Sequence, residues 1–238
     1  MNQIPLNLIT RLPYTRKNFV CHEGVKELFR AVTTLFLSDT FHLITVQGLP
    51  RTGKTHLSIA LSDHAGDQSR FPRLVEARAG AGRIFAEELA SSSFASMGSD
   101  IVYLVDDADI ALSADLSLPT SQSGPFVSFV EEIRKKRGKI CLFLTKRVEE
   151  ISADDHVMSR LRAGAHFEIG VPGRDEVKAI VKEIAYQHGL KFDNRELGFI
   201  ERRVGGEIPA IEQFLQRLEH LTKTLGRPID FLALKDAV

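Results

Sequence analysis

Eight consecutive residues constrain this chain more than any others. Gly48-Leu49-Pro50-Arg51-Thr52-Gly53-Lys54-Thr55 match G-x-x-x-x-G-K-[ST] in full. The apolar run Phe41-His42-Leu43-Ile44-Thr45-Val46 ahead of them reads as a buried strand, and a helix over about 54–64 follows. That setting has a physical purpose. Glycines let backbone N–H groups curl around a phosphate chain, and the start of the helix adds free N–H groups and a positive dipole end. Lys54 is placed to reach β and γ phosphates, and Thr55 offers a hydroxyl to Mg²⁺. All eight positions, Gly48, Leu49, Pro50, Arg51, Thr52, Gly53, Lys54 and Thr55, are candidate cofactor-binding residues.

The pattern around this loop is one of alternation. A helix over 23–37 precedes it, with apolar positions at Val25, Leu28, Phe29, Val32 and Leu35. After it come a short strand at 74–77, a helix over about 83–92, a strand at 101–105 and a loop over 111–125. Then follow a helix over about 126–137 that Gly138 is placed to stop, and strands at 139–145 and 166–169. Strands alternating with helices predict an α/β fold, a parallel sheet sandwiched by helices. Beyond Pro172-Gly173 the strand-like runs cease, and helices are expected near 174–188, 194–204, 208–225 and 228–236. The expected organisation is a loose, extended N-terminal segment at 1–18, an α/β domain at 19–172 and a C-terminal all-helical lid at 173–238.

Further chemistry gathers at the strand ends. Val105-Asp106-Asp107 closes an apolar strand with two acids about 50 residues after the loop. In a parallel sheet they fall at the carboxyl edge, where the loop also opens. Asp106 is expected to share Mg²⁺ with Thr55, and Asp107 to polarise an attacking water. The competing reading is that the acids cap the next helix. Thr145, a polar residue ending a strand, is a candidate sensor between the acids and the γ-phosphate. Arg160, in Ser159-Arg160-Leu161-Arg162 before the last strand, could point across a subunit boundary at a neighbour's nucleotide. Arg134-Lys135-Lys136-Arg137 ends a helix, where cations complement the dipole. The eight histidines show no metal-ligand spacing.

Composition excludes some classes. The 31 Lys+Arg balance 31 Asp+Glu, so a dedicated duplex-DNA binder with a strong basic excess is not expected. Cys21 and Cys141 cannot build a disulfide framework and read as small buried hydrophobes in a reducing compartment. No stretch approaches the roughly 20 apolar residues of a membrane span, and the N-terminus lacks the pattern of a signal peptide. A cytoplasmic location is the expectation.

The phosphate loop, the paired acids, the polar strand end, the arginine before the last strand and the helical lid together resemble an AAA+ ATPase. Phe19-Val20 ahead of a helix is similar to the adenine-side segment that opens the DnaA ATPase domain. Val157-Met158-Ser159-Arg160-Leu161-Arg162-Ala163-Gly164 resembles the DnaA arginine-finger box, and the stretch from Pro172-Gly173-Arg174-Asp175-Glu176 to Ile229-Asp230-Phe231 resembles the DnaA lid. With no duplex-reading domain expected after Val238, and with Gln3-Ile4-Pro5-Leu6-Asn7-Leu8 fitting the Q-x-x-L-x-L form of a sliding-clamp peptide, the resemblance is to the Hda-like branch of the DnaA/Hda family. Gln3, Leu6 and Leu8 would be the clamp-binding residues. Several positions depart from the family. Pro209 stands where the lid arginine of that family falls, Lys146-Arg147-Val148 lacks an acid common there, and His22 and Val25 replace a Gly and an Asn.

The resemblance implies a nucleotide-binding regulator of chromosomal replication initiation. It would bind ATP or ADP with Mg²⁺, dock on the sliding clamp and promote hydrolysis of DnaA-bound ATP through Arg160. It implies DnaA and the clamp as partners, self-association as a further option, and no strong duplex-DNA or membrane binding. Pro209 removes a cationic contact, so any ATPase of its own is expected to be weak. The alternative is a DnaA-like adaptor that recruits helicase or another partner without stimulating hydrolysis. A self-sufficient motor or a phosphate-loop kinase fits less well.

Overall fold

The computed structural model describes residues 14–77, 83–91, 94, 98–115, 124–224, 226 and 228–238. The clamp-peptide residues Gln3, Leu6 and Leu8 lie outside them. The chain divides into two compact units, one of Thr15–Phe19 with Val25–Gly170 and one that includes Val20–Gly24 and Val171–Val238.

The first unit is built on five parallel strands, β1 (His42–Gln47), β2 (Phe71–Glu76), β3 (Ile101–Asp106), β4 (Lys139–Leu144) and β5 (Ala165–Glu168), in the order β2-β3-β4-β1-β5. The central strands β3 and β4 are buried at every position. That is why Ile101-Val102-Tyr103-Leu104-Val105 and Ile140-Cys141-Leu142-Phe143-Leu144 are continuous apolar runs rather than alternating ones. Successive side chains still point to opposite faces. Ile101, Tyr103, Val105, Ile140, Leu142 and Leu144 pack on one face. Val102, Leu104, Cys141 and Phe143 pack on the other. The second face is covered by α1 (Glu23–Leu37) and α2 (Lys54–Asp67), through Val25, Leu28, Val32 and Phe36 of α1 and Leu57 and Leu61 of α2. The first face is covered by α3 (Ile84–Ala90), α4 (Ala108–Asp115), α5 (Pro125–Lys135) and α6 (Asp155–Arg162). The edge strand β2 leaves Phe71 and Leu74 exposed, and it tolerates Pro72, whose missing N–H costs least at an edge.

The second unit contains α7 (Val177–Gln187), α8 (Asn194–Val204), α9 (Ile208–Glu219), a π-helical turn (His220–Thr224) and α10 (Phe231–Ala237). Its core is Ile180, Val181, Ile184, Ile200, Ile211, Leu215, Leu218 and Leu234. Asp193 caps α8 by accepting from the Arg195 and Glu196 N–H groups at 2.7 and 2.8 Å, and Glu196 returns a bond to the Asp193 N–H at 2.7 Å. His188 closes α7 deep in this unit. Its Nδ1 lies 2.8 Å from Glu219, which also receives Lys223 Nζ at 2.9 Å, and its Nε2 lies 3.4 Å from Glu212.

Several sequence expectations are corrected here. The loop expected over 111–125 opens with the end of a helix, because α4 runs from Ala108 to Asp115 and buries Ala111 and Leu112. The strand expected at 74–77 begins at Phe71, where pairing to Ile101 outweighs the polar Arg73. The helix expected over 208–225 divides into α9 and the π-helical turn, and the one expected over 228–236 starts at Phe231, where Asp230 caps it through the Ala233 N–H at 2.7 Å. Gly138 does not supply the turn that stops α5. Arg137 takes the left-handed conformation, φ 56°, while the Gly138 N–H bonds the Ile133 carbonyl at 3.0 Å. Gly138 is needed for space, since a Cβ there would lie 2.7 Å from Ile101 Cγ2. Cys141 is buried, but Cys21 is exposed and is not a core residue. Within the stretch expected to be loose, residues Arg16–Asn18 form a 3-10 turn tied to α2. Among the described residues no helix is long and apolar enough to cross a membrane.

Candidate functional site

The site grows from the end of β1. Gly48 continues the strand, its N–H bonding the Leu144 carbonyl of β4 at 3.0 Å. A Cβ on Gly48 would meet Thr52 Oγ1 at 2.6 Å, so the loop closes only over glycine. Leu49, Pro50 and Arg51 are exposed at the rim, and Arg51 has φ 66°. Thr52 Oγ1 donates to the Leu49 carbonyl at 2.8 Å and braces the turn. Gly53 takes φ 92° as the residue heading α2 and has no side chain to cap the helix. The amides of that helix start are the donors an anion would take.

Lys54 is 6% exposed, and its ammonium donates to the Gly48 and Leu49 carbonyls at 2.8 and 3.0 Å. The charge is thus held over the centre of the loop. Thr55 Oγ1 donates to Asp106 Oδ2 at 2.6 Å. Because β4 lies between β3 and β1, Asp106 reaches Thr55 across one intervening strand end, where Thr145 stands half-buried. The strand ends at Leu144, so Thr145 is the first residue beyond β4 rather than its last. Burial pushes the Asp106 carboxyl above its ordinary range, against the opposing bond from Thr55. A hydroxyl and a buried carboxylate this close fit a hard divalent cation, which takes oxygen ligands and favours the ionised carboxylate. A nucleotide's phosphates fit the same cradle through Gly48, Gly53, Lys54 and the start of α2.

Asp107 is buried beside Asp106 with φ 50°. Its carbonyl accepts from the Ile110 N–H at 2.9 Å, so it also stands at the head of α4. Its backbone starts a helix, and the residue stands at the carboxyl edge of the sheet. Phe19 lies with its ring 5.2 Å from His56 and 6.0 Å from Phe29. Val20 packs in the helical unit. Sequence reasoning assigns no role to His56, yet its Nε2 lies 2.9 Å from both the Thr15 carbonyl and Asn18 Oδ1, tying the turn before Phe19 to α2. Its position directly after Thr55, in the first turn of α2, was the available signal. Pro209 occupies the first turn of α9, a place suited to its fixed φ.

Arg160 lies elsewhere. It ends α6 and lines a cleft of about 150 Å³ with Phe41, His42 and Leu43 at the start of β1 and Gly164 ahead of β5. This is the amino edge of the sheet. The phosphate loop follows the other end of β1, six residues on, or roughly 20 Å at the usual strand rise. The structure therefore gathers Gly48 to Thr55, Asp106, Asp107 and Thr145 at one edge and places Arg160 at the other.

A parallel five-stranded sheet with a phosphate loop after β1, acids after β3, a polar residue after β4 and a following helical region defines the AAA+ fold. No family model and no curated protein matches the chain. Solved structures do. Domain III of the Thermotoga maritima replication initiation protein DnaA matches with a TM-score of 0.70 at 15% identity, covering 94% of this chain and 95% of that one. AMPPCP-bound DnaA from Aquifex aeolicus matches at 0.66 and 19% identity, over 95% of this chain and 68% of that one. The Thermotoga maritima RuvB Holliday junction branch migration motor matches at 0.62 and 17% identity, over 96% and 72%. At these identities the likeness is one of fold, shared with both DnaA and RuvB.

Proposed function

We propose that the chain binds ATP or ADP with Mg²⁺ in the Gly48–Thr55 loop and acts as a DnaA-like regulator of replication initiation. In this reading it docks on the sliding clamp through Gln3, Leu6 and Leu8, meets DnaA, and promotes hydrolysis of DnaA-bound ATP through Arg160. Asp106 and Thr55 would hold the cation, while Phe19 and Val20 would flank the base. Asp107 and Thr145 would serve its own weak turnover. The cation would polarise the phosphate oxygens. Lys54 would orient them, and the buried Asp106 would be kept ionised by the bound charge.

One observation carries the reading: Arg160 sits at the opposite edge of the sheet from its own phosphate loop. Its guanidinium is therefore available to a phosphate held by another chain and not to its own. An arginine supplied in trans raises phosphoryl-transfer rates by roughly 10³ to 10⁵ in well-studied systems. The adaptor reading, without stimulation, draws on a different observation, the inward bonding of Arg160 to its own chain.

The test is single-turnover hydrolysis of ATP preloaded on DnaA, with clamp on DNA and this protein added. Stimulation is expected, and Arg160→Ala should abolish it while leaving nucleotide binding intact. Lys54→Ala should weaken nucleotide binding by roughly 10- to 100-fold through the lost charged bond. Gln3→Ala with Leu6→Ala should release the protein from immobilised clamp. Full stimulation by Arg160→Ala would remove the finger role of Arg160, and no stimulation by the parent protein would leave the adaptor.

A further inference from the structure

Arg160 does not hang free in its cleft. Its Nε and Nη2 donate to the same carboxylate oxygen, Glu131 Oε1 on α5, at 3.1 and 2.9 Å. Its Nη1 donates to the His156 carbonyl one turn back on α6 at 3.0 Å. A guanidinium has five N–H donors. Three are used, one on each nitrogen, which leaves one on Nη1 and one on Nη2. The two that remain sit on the terminal nitrogens, whose N–H groups bind phosphoryl or carboxylate oxygens. The side chain keeps 23% of its exposure, so it is not sealed off from a ligand. Arg134 Nη1 lies 3.6 Å from the same Glu131 Oε1, and its guanidinium stacks 5.1 Å over the Phe41 ring. Two arginines around one glutamate leave the cluster with one net positive charge.

We propose that Glu131 is a positioning residue for Arg160. It fixes a long, rotamer-rich side chain along the cleft, side-on to α5, so that the two remaining N–H groups of the guanidinium are presented to a phosphoryl group held by a second chain. The ordering of the arginine is completed before the second chain arrives, and Arg134 supplies the charge that the glutamate would otherwise cancel. The inference rests on Arg160 acting in trans, as read above. It assigns a role to a residue of α5 that no sequence motif marks.

The experiment compares Glu131→Ala, Glu131→Gln, Arg160→Ala and Glu132→Ala in single-turnover hydrolysis of DnaA-bound ATP, titrating this protein to saturation. Glu132, which pairs with Lys135 on its own helix, controls for a lost surface charge. Glu131→Ala is expected to lower the saturating rate constant about ten-fold, with the half-saturating concentration unchanged within two-fold. Glu131→Gln, whose amide oxygen still accepts from Nε and Nη2, should recover most of the rate, and Glu132→Ala should match the parent. The Arg160 Nε–H resonance in a ¹⁵N spectrum should stay in place in Glu131→Gln and shift in Glu131→Ala, which tests the contact even if the alanine variant folds poorly. An unchanged or raised rate in Glu131→Ala, while Arg160→Ala is inactive, overturns the positioning role alone. So does a shift of the half-saturating concentration at constant rate. A fully active Arg160→Ala overturns both the positioning role and the trans reading beneath it.

Discussion

Each of the two units buries a glutamate or aspartate among cationic or hydroxyl partners, and the two carboxylates move in opposite directions. Asp106, at the sheet edge, is pushed above its ordinary range by burial despite the Thr55 bond. Glu219, among the helices of the second unit, is also penalised by burial, but the bonds from His188 and Lys223 more than offset that, and its carboxyl ends below the ordinary range. The second arrangement is satisfied within the chain: an acid shared by the end of α7 and the turn after α9. The first is not, because the bond from Thr55 and the attraction of Lys54 do not offset the burial of its carboxylate. That contrast separates a structural tie from a site arranged for something brought from outside.

The strongest way to break this comparison is to neutralise the satisfied acid. Glu219→Gln should cost about 2 kcal/mol in chemical denaturation, because His188 loses a charged partner in a buried setting. The sign with pH is set by the depressed carboxyl. Its stabilisation is full above the unfolded value near 4.3 and is lost as pH falls through the lower folded value. The parent should therefore show a steeper loss of stability on acidification than Glu219→Gln. Equal acid limbs would show that the cluster holds no ionised glutamate.

Neutralising the unsatisfied acid should act the other way. Asp106→Asn is expected to stabilise the ligand-free protein by about 1.5 kcal/mol, since it removes a burial cost that Thr55 and Lys54 do not fully offset. The same change should abolish the extra thermal shift that Mg²⁺ adds to ATP. Destabilisation by Asp106→Asn would mean that the bond from Thr55 had already offset the burial.

The two units also differ in how much of them could be read from the chain. The sheet unit announces itself, because β3 and β4 are buried on both faces and are continuously apolar over 101–105 and 140–144. Asp106 follows from where the first of those runs ends, and the loop from its own motif. The first half of the edge strand β2 is hidden in the sequence because Pro72 and Arg73 separate Phe71 from the apolar Leu74-Val75. Helix α4 was read as loop because Ser113 and Asp115 mask the two buried residues, Ala111 and Leu112, that hold it down. In the helical unit the positions of α8 emerge from its Asp193–Glu196 capping box, while the His188–Glu219 contact joins residues 31 apart and leaves no local trace. The Arg160–Glu131 contact, 29 residues apart, is invisible for the same reason. Periodicity reports which face is buried; it does not report which polar side chains converge once the faces are packed.

The finest test of the comparison uses one kind of residue at two helix starts. Asp193 heads α8 with two accepted bonds and a returned one from Glu196. Asp154 heads α6 with a single bond from the Val157 N–H at 2.9 Å. Asp193→Ala should therefore cost about 1 kcal/mol and Asp154→Ala about 0.5 kcal/mol in denaturant titrations. The functional ranking should be the reverse. Asp154 starts the helix that carries Arg160 one and a half turns later, so fraying there loosens the His156 carbonyl that receives Nη1. Asp154→Ala should lower Arg160-dependent stimulation of DnaA-bound ATP hydrolysis about two-fold, and Asp193→Ala should leave it intact. If the larger stability loss instead brought the larger activity loss, the two units would respond as one, and the division between a structural tie and a working site would fail.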